Sequence, residues 1–370
     1  MKSILFLVKL PPPVNGATLM NKSVVESGLL SSKYRLSVLD HGLANSMSDF
    51  GTFRLRKFYT ILRVYIVFVT RMIVRRPDCV YITIAPGGVA FIKDSILVAI
   101  SRLFNTPTIL HIHGRGIERR SQNSKIYRAY YRAISRQCYF VCLSDSLAKD
   151  IQYVHDNKPR IIPNGIRSSK TSIATKCLQH GEKIELLYLS NYHPMKGVIE
   201  FIKSVGKLCQ VVNTSIVNAH IVGDETRFLR SADLNKLIDD MGLRKIIHVH
   251  GPLYGKEKFK LMSNSDIFVF PTKYENEAFP LVILEAMEAG MMVVSTDVGG
   301  IPDIVLHGKT GFIVKPNDVD TLVQHLEYLV ENISILRKMK EASRLRYEKY
   351  YTYDVFEQNM ANLFKEVVGG

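Results

Sequence analysis

A short apolar run followed by a longer amphipathic one, repeated along the whole chain, is the feature that most limits what these 370 residues can form. Residues 3–8, 34–39, 79–84, 108–112 and 139–143 read as strands, and 17–30, 55–74, 91–104 and 125–136 carry helix-length apolar patterns between them. Strand, helix and strand in succession build a parallel sheet covered by helices. Residues 163–183, PNGIRSSKTSIATKCLQHGEK, are polar and aperiodic, which predicts a connection between domains. The rhythm then restarts, with strands at 184–189, 220–222, 246–250, 267–270, 292–295 and 312–314. Helices are expected near 197–209, 232–241, 256–263, 280–289 and 319–330, and 331–369 is helical in pattern with no strand after it. No fixed-period repeat is present, which excludes solenoids and propellers. The fold class is therefore α/β, with two doubly wound, Rossmann-like domains facing across a cleft. Ligands are expected at the carboxyl ends of the strands, where glycine-rich loops open helices.

Charge separates the two halves. The chain holds 49 Lys and Arg against 34 Asp and Glu, a formal excess of +15. Residues 1–160 carry 24 of those cations and only 9 of the acids, so the first half holds the whole excess and the second is balanced. A basic half predicts an anionic surface as its partner. Five cysteines, Cys79, Cys138, Cys142, Cys177 and Cys209, with no C-x-x-C pair, argue against a disulfide framework or a cysteine-built zinc site and fit a reducing cytosol. The start, MKSILFLVKLPPP, reads as a buried strand rather than a signal peptide, and 59–74 is too short and too charged to span a bilayer. A soluble chain is expected.

The segment 270–300, FPTKYENEAFPLVILEAMEAGMMVVSTDVGG, is the most informative. A strand ends at Phe270 and a loop carries Glu275 and Glu277. Pro280 is expected in the first turn of a helix that Gly290 closes. A helix start presents unpaired N–H groups and about half a positive charge, so the backbone near Leu281 and Val282 suits a phosphate. Glu285 lies five residues past Pro280, about 7.5 Å along the axis. It is placed to accept two ribose hydroxyl protons, with Glu277 facing whatever the phosphate carries. The competing reading is an amphipathic helix on which Glu285 and Glu288 are merely solvated.

Glu277-x7-Glu285, followed by EAMEAG, a strand and DVGGIPDIVLHGKTGFIV, resembles glycosyltransferase family 4, whose fold is GT-B. The resemblance continues through PPPVNGA with Gly16, HIHGRG with His113, IIPNGI, and LSNYHPMKGV with Lys196. It implies that residues 1–165 bind the acceptor, with 346–370 returning to pack on them, and that 166–345 bind a nucleotide sugar. Gly16 then lets backbone approach the substrates. Lys196 pairs with the diphosphate. Glu285 takes the ribose hydroxyls, while Glu277 and the segment Ala278, Phe279, Leu281 and Val282 meet the sugar and the phosphate. His113 stands near the reacting sugar, and His111 is expected on the opposite face of its strand. Val249 and His250 line the nucleobase, mainly through backbone. Members of the family place an arginine five residues before the lysine; here that position is Asn191, and Arg115 and Arg167 are the candidates to replace its charge.

Other signals weigh less. Asp318-x-Asp320 matches a short metal signature but precedes a helix, so capping is its expected role, and the resemblance implies no metal and no cofactor. Gly308-Lys309-Thr310 lacks the upstream glycine of a P-loop. Arg119, Arg120, Lys125, Arg128, Arg132 and Arg136 form one basic stretch, interleaved with Tyr127, Tyr130 and Tyr131; a second runs from Arg54 to Arg76. An anionic membrane surface suits both, and no recognised nucleic-acid module is present. The expected activity is retaining transfer of a hexosyl or N-acetylhexosaminyl group from a UDP- or GDP-sugar to an acceptor hydroxyl. The expected acceptor is a polyprenyl-diphosphate-linked oligosaccharide of a bacterial surface polysaccharide, at the inner face of the cytoplasmic membrane. Alternatives are nucleotide-sugar epimerisation or hydrolysis on the same fold, and a basic nucleic-acid binder.

Overall fold

Strand β1 (Ser3–Val8) is buried along all but its first residue, because a strand paired on both edges and covered on both faces has no solvent side. The computed structural model describes residues 1–42, 55–168 and 182–369 and divides into two units, Met1–Gly165 with Tyr353–Gly370, and Ile166–Thr352. Arg54, Cys177 and most of the connection at 163–183 lie outside the described residues.

In the first unit β1 is followed by α1 (Gly16–Val25), α2 (Gly28–Lys33), β2 (Arg35–Asp40), α3 (Leu55–Val74), β3 (Cys79–Ile84) and α4 (Gly88–Leu103). After these come β4 (Thr108–Ile112), α5 (Ile117–Asn123), α6 (Lys125–Ser135), β5 (Tyr139–Cys142), α7 (Asp145–Lys149) and the short β6 (Arg160–Ile161). The helix expected over 17–30 is two helices, because Ser27 accepts from Leu30 N–H and restarts the chain as a second N-cap. All pairings are parallel, in the order β2-β1-β3-β4-β5-β6. Leu5 and Leu7 of β1 point into one core with Phe68, Val80, Leu110 and Tyr131.

The second unit runs β7 (Ile184–Leu189), α8 (Val198–Val211), β8 (Val217–Val222), α9 (Ser231–Asp240), β9 (Ile247–Gly251), α10 (Gly255–Asn264) and β10 (Ile267–Phe270). It continues with α11 (Leu281–Glu288), β11 (Met292–Thr296), α12 (Ile301–Ile304), β12 (Gly311–Val314), α13 (Val319–Glu331) and α14 (Ile333–Tyr350). These strands are also all parallel, in the order β12-β11-β10-β7-β8-β9. On α11, Ile283, Leu284, Ala286 and Met287 are buried, and each large aliphatic among them contributes about 1.5–3 kcal/mol to holding the helix in place.

The last helix, α15 (Tyr353–Gly369), belongs to the first unit. Phe364 packs on Phe6 and Tyr81, on the sheet face opposite Leu5 and Leu7. The chain leaves the second unit between Thr352 and Tyr353 rather than at 345/346. The helix that carries residue 346 continues to Tyr350, where Arg346 donates to the carbonyls of Asp303 and Ile304 inside the second unit.

Candidate active site

The order of the second sheet dictates where a ligand sits. Strands β7 and β10 are neighbours, yet the strand after β7 lies to one side and the strand after β10 to the other. Loops leaving such a pair diverge and open a crevice at the strands' carboxyl ends. The loop after β7 carries Asn191 and Lys196; the loop after β10 carries Lys273, Glu275 and Glu277.

Lys196 closes a short 3-10 turn, Pro194–Lys196, whose N-cap His193 accepts from Met195 N–H at 3.1 Å through Nδ1. Gly197 follows with φ +87°, and a Cβ there would stand 2.2 Å from the Pro271 carbonyl oxygen. Only glycine supplies both that backbone angle and that close approach. The two loops are thus pressed together, and Lys196 Nζ reaches Glu277 Oε2 at 2.5 Å, with Tyr274 beneath the ammonium at 4.6 Å. Lys273 Nζ is held by Glu200 at 2.7 Å and Asn317 at 2.9 Å. Gly299 fixes the other side of the Glu277 loop: its φ is +62°, and a Cβ would lie 2.0 Å from the Glu277 carbonyl oxygen. Next to it, Gly300 N–H donates to the Ala278 carbonyl at 2.7 Å.

Helix α11 starts at Leu281, with Pro280 as N-cap in extended backbone at ψ 117°, one residue outside the first-turn position expected from sequence. The N–H groups of Leu281 and Val282 therefore have no intrahelical acceptor. Leu281, Val282 and Glu285 are the partly exposed residues of this helix and share one face, whereas Glu288 is 4% exposed. The reading of Glu285 and Glu288 as solvated surface charges is overturned. Glu288 is buried with Leu284 and Met287 of the same helix, and Glu285 Oε1 accepts from Lys258 Nζ of α10 at 2.7 Å. Ala278 and Phe279 are buried, and the Phe279 ring packs on Tyr351. Their side chains belong to the support of the loop.

Val249 is half-buried near the end of β9, and His250 is exposed. The His250 ring bonds His220 at 2.9 Å, and His220 bonds Glu185 at 2.9 Å. Its side chain is thereby turned along the sheet into a chain of polar groups. Asn191 is exposed, and its carbonyl accepts from His193 N–H. Asp318 caps α13, accepting from Thr321 N–H at 3.0 Å, and Asp320 pairs with Lys207.

Two of the expected site residues lie in the first unit. Gly16 is the first residue of α1, after the N-cap Asn15, which exchanges hydrogen bonds with Thr18 in a capping box. His113 follows β4. Its ring and that of His111 are 4.1 Å apart, which corrects the expectation that His111 points the other way: residues two apart in extended chain share a face. His111 is tied to the Tyr81 hydroxyl. Both ring nitrogens of His113 are buried with no hydrogen-bond partner, and loss of hydration pulls its pKa down to about 4. The imidazole is neutral at neutral pH. The loop after it is clamped by Asp150, whose carboxylate accepts from Gly116, Ile117 and Glu118 N–H at 2.8–3.0 Å.

Sequence reading missed Lys258, Lys273 and Asp150. A lysine in the first turn of a polar helix and an aspartate after a short one carry no local signal. Gly299 lay within a quoted motif, but its contact with Glu277 is a tertiary fact.

Two doubly wound parallel units, the second with a crevice lined by paired lysines and glutamates beside a helix start, define the GT-B class of fold. Residues 170–346 match the family described as Glycosyl transferases group 1. It is 34% identical over 172 residues to a sulfoquinovosyl transferase of Arabidopsis thaliana, covering 44% of this chain and 32% of that protein. Over 283 residues it is 26% identical to an uncharacterized glycosyltransferase of Methanocaldococcus jannaschii, covering 70% and 69%. The chain thus spans about a third of the first relative and just over two thirds of the second. Among solved structures, Anabaena HepE in complex with UDP superposes with a TM-score of 0.72 at 18% identity, covering 98% of this chain and all of that one. No helix among the described residues is long and apolar enough to cross a membrane.

Proposed function

We propose that the chain is a retaining glycosyltransferase of family 4 that moves a hexosyl or N-acetylhexosaminyl group from a UDP- or GDP-sugar to an acceptor hydroxyl. The observation that carries this reading is the placement of Glu277, Lys196 and Glu285 around the free N–H groups of α11. Glu285 is four residues past Leu281, about 6 Å along the axis, a span that suits a ribose when the diphosphate lies at the helix start. Lys196 releases Glu277 to the sugar as it turns to the phosphates. HepE, whose structure holds UDP, supports a nucleotide donor on this fold.

In this reading the acceptor oxygen attacks the anomeric carbon from the side on which the phosphate leaves. The C–O bond to phosphate breaks with its electron pair going to the leaving diphosphate, and the departing oxygen takes the acceptor proton. Lys196 and the α11 N–H groups stabilise the charge that develops there. The neutral His113 is assigned to the positive charge that builds on the sugar, and Gly16 to close passage of the substrates. No metal or cofactor enters.

The first unit is assigned to a polyprenyl-diphosphate-linked oligosaccharide at an anionic membrane, on the inner face of the cytoplasmic membrane. Its surface supports this. Val89, Ile92, Ile96 and Leu103 form an exposed apolar stripe on α4, with Leu62 and Ile66 exposed on α3 and Ile126 on α6. Neither α3 nor α6 contains an acidic residue. Apolar side chains bounded by arginine and lysine suit an anionic interface. Nucleic acid is disfavoured, because two of the three tyrosines interleaved with that basic stretch are engaged inside the unit, Tyr131 buried against Phe91 at 4.4 Å and Tyr127 bonded to the Pro86 carbonyl.

Thermal unfolding with a panel of UDP- and GDP-sugars tests the donor: a bound donor at a hundred times its Kd stabilises by about 2.7 kcal/mol. Labelled donor with and without lipid acceptor tests the reaction. Turnover that needs no acceptor would favour hydrolysis or epimerisation, and no stabilisation by any nucleotide would sink the reading.

A further inference from the structure

Among the described residues, the charge balance of the crevice leaves a further cation beside its paired lysines. Lys196 is paired with Glu277, Lys258 with Glu285 and Lys273 with Glu200. Each lysine that faces the site is neutralised by its own glutamate, so these three pairs offer no net attraction to a diphosphate, which brings more than one negative charge. The loop between β8 and α9 supplies what is missing. Among the described residues no carboxylate lies within ion-pair distance of Arg227, whose guanidinium stacks on the Phe228 ring at 4.7 Å. The neighbouring Arg230 instead has Glu225 beside it.

That loop is fastened to the one carrying Lys196. Tyr192 N–H donates to the Asp224 carbonyl at 2.8 Å, and the Thr226 hydroxyl donates to the Tyr192 carbonyl at 2.7 Å. A Cβ on Gly223 would stand 1.9 Å from the Ser190 carbonyl oxygen. Phe228, under the guanidinium, meets the His193 ring edge-on at 4.7 Å, and His193 caps the turn that ends in Lys196. Burial lowers the His193 pKa, and the charges of Lys196 and Arg227 lower it further. The imidazole therefore senses both cations at once.

We infer that Arg227 is a further donor-binding residue, whose guanidinium meets the diphosphate of the nucleotide from the loop after β8 and supplies the charge that Asn191 does not. The inference rests on the proposed nucleotide-sugar function. A guanidinium fork suits two phosphate oxygens, and an aromatic ring beneath it holds the plane in place without neutralising it. Placement on an exposed loop lets the side chain turn toward a ligand without disturbing the core.

Calorimetric titration of the full chain with UDP, GDP, uridine and guanosine separates the possibilities. Arg227→Ala is expected to weaken the diphosphate that binds by roughly ten- to a hundredfold, as loss of a charge-assisted contact does, and to leave the matching nucleoside unchanged. Arg227→Lys recovers part of the loss, and Arg230→Ala stays within about twofold of the unaltered chain, because a screened surface charge acts weakly at a distance. Unchanged diphosphate affinity in Arg227→Ala, an equal loss for the nucleoside, or an equal loss in Arg230→Ala would each overturn the assignment while the proposed function stands. Failure of the unaltered chain to bind either diphosphate would overturn the function itself, and this assignment with it.

Discussion

Lys196 Nζ lies 2.5 Å from Glu277 Oε2, and the two residues, 81 positions apart, reach each other from loops that follow adjacent strands. The contact joins the two groups that the proposed reaction uses separately, one for phosphate and one for sugar. In the ligand-free protein each occupies the other's binding valence.

Removing the carboxylate should therefore separate binding from turnover. Glu277→Ala frees Lys196, so UDP, which has no sugar, is expected to bind as tightly as before or severalfold more tightly. Transfer from the sugar nucleotide should fall by about two orders of magnitude, the usual cost of a lost transition-state contact. Calorimetry with UDP beside a steady-state assay reads both, and a parallel loss of UDP binding would contradict the pairing described.

Glu285 and Lys258 predict a different pattern, because they meet the nucleoside end. Glu285→Ala should weaken uridine or guanosine and the matching diphosphate by the same factor, about tenfold for loss of hydrogen bonds to a charged group. Lys196→Ala should spare the nucleoside. Equilibrium titration of the four ligand and variant combinations checks this, and a Glu285 effect confined to the diphosphate would reverse the assignment.

Gly299 is a structural test of the loop. Alanine there places a Cβ about 2.0 Å from the Glu277 carbonyl oxygen at a φ of +62°. A side chain in that backbone region costs about 1–3 kcal/mol before the clash is counted. Gly299→Ala is expected to lower unfolding free energy in urea by at least about 2 kcal/mol and to abolish transfer. Wild-type stability would show that the loop relaxes freely and holds Glu277 loosely.

The histidine pair of the first unit predicts a pH dependence. Burial holds the His113 pKa down at about 4, below its unfolded value. Between those values the unfolded chain binds more protons, so stability is present at neutral pH and is lost as pH falls from about 6.5 toward 4. For His113 alone the loss between pH 7 and 4.5 is about 2 kcal/mol. Denaturation of the wild type and His113→Gln at both pH values should show a shallower slope in the variant. An equal slope would mean that His113 titrates normally.

Membrane docking by the first unit has its own readout. Val89 is 83% exposed and Leu103 81%, so Val89→Asp and Leu103→Asp should leave the unfolding temperature within a few degrees. The same changes should cut sedimentation with vesicles containing anionic lipid several-fold, and raised salt should do likewise. Undiminished sedimentation in the double variant would point away from this face.

The amino-acid sequence by itself determined the elements and their order. Alternation of buried strand and amphipathic helix is a local property, and the pattern of Ile267–Phe270, Pro280 and Gly290 marks one strand, one helix start and one helix end wherever they sit. The eight-residue step from Glu277 to Glu285 was equally local. What only the tertiary structure decided was adjacency. Strand β10 pairs with β7 rather than with β9, its predecessor in the chain, and that choice brings Glu277 to Lys196, lays Gly197 on Pro271 and presses Gly299 against the Glu277 carbonyl. The pairing of β7 with β8 likewise joins their two loops, so that Arg227 and Phe228 stand with His193. Strand pairing depends on buried area summed over the whole sheet, which no window of sequence contains.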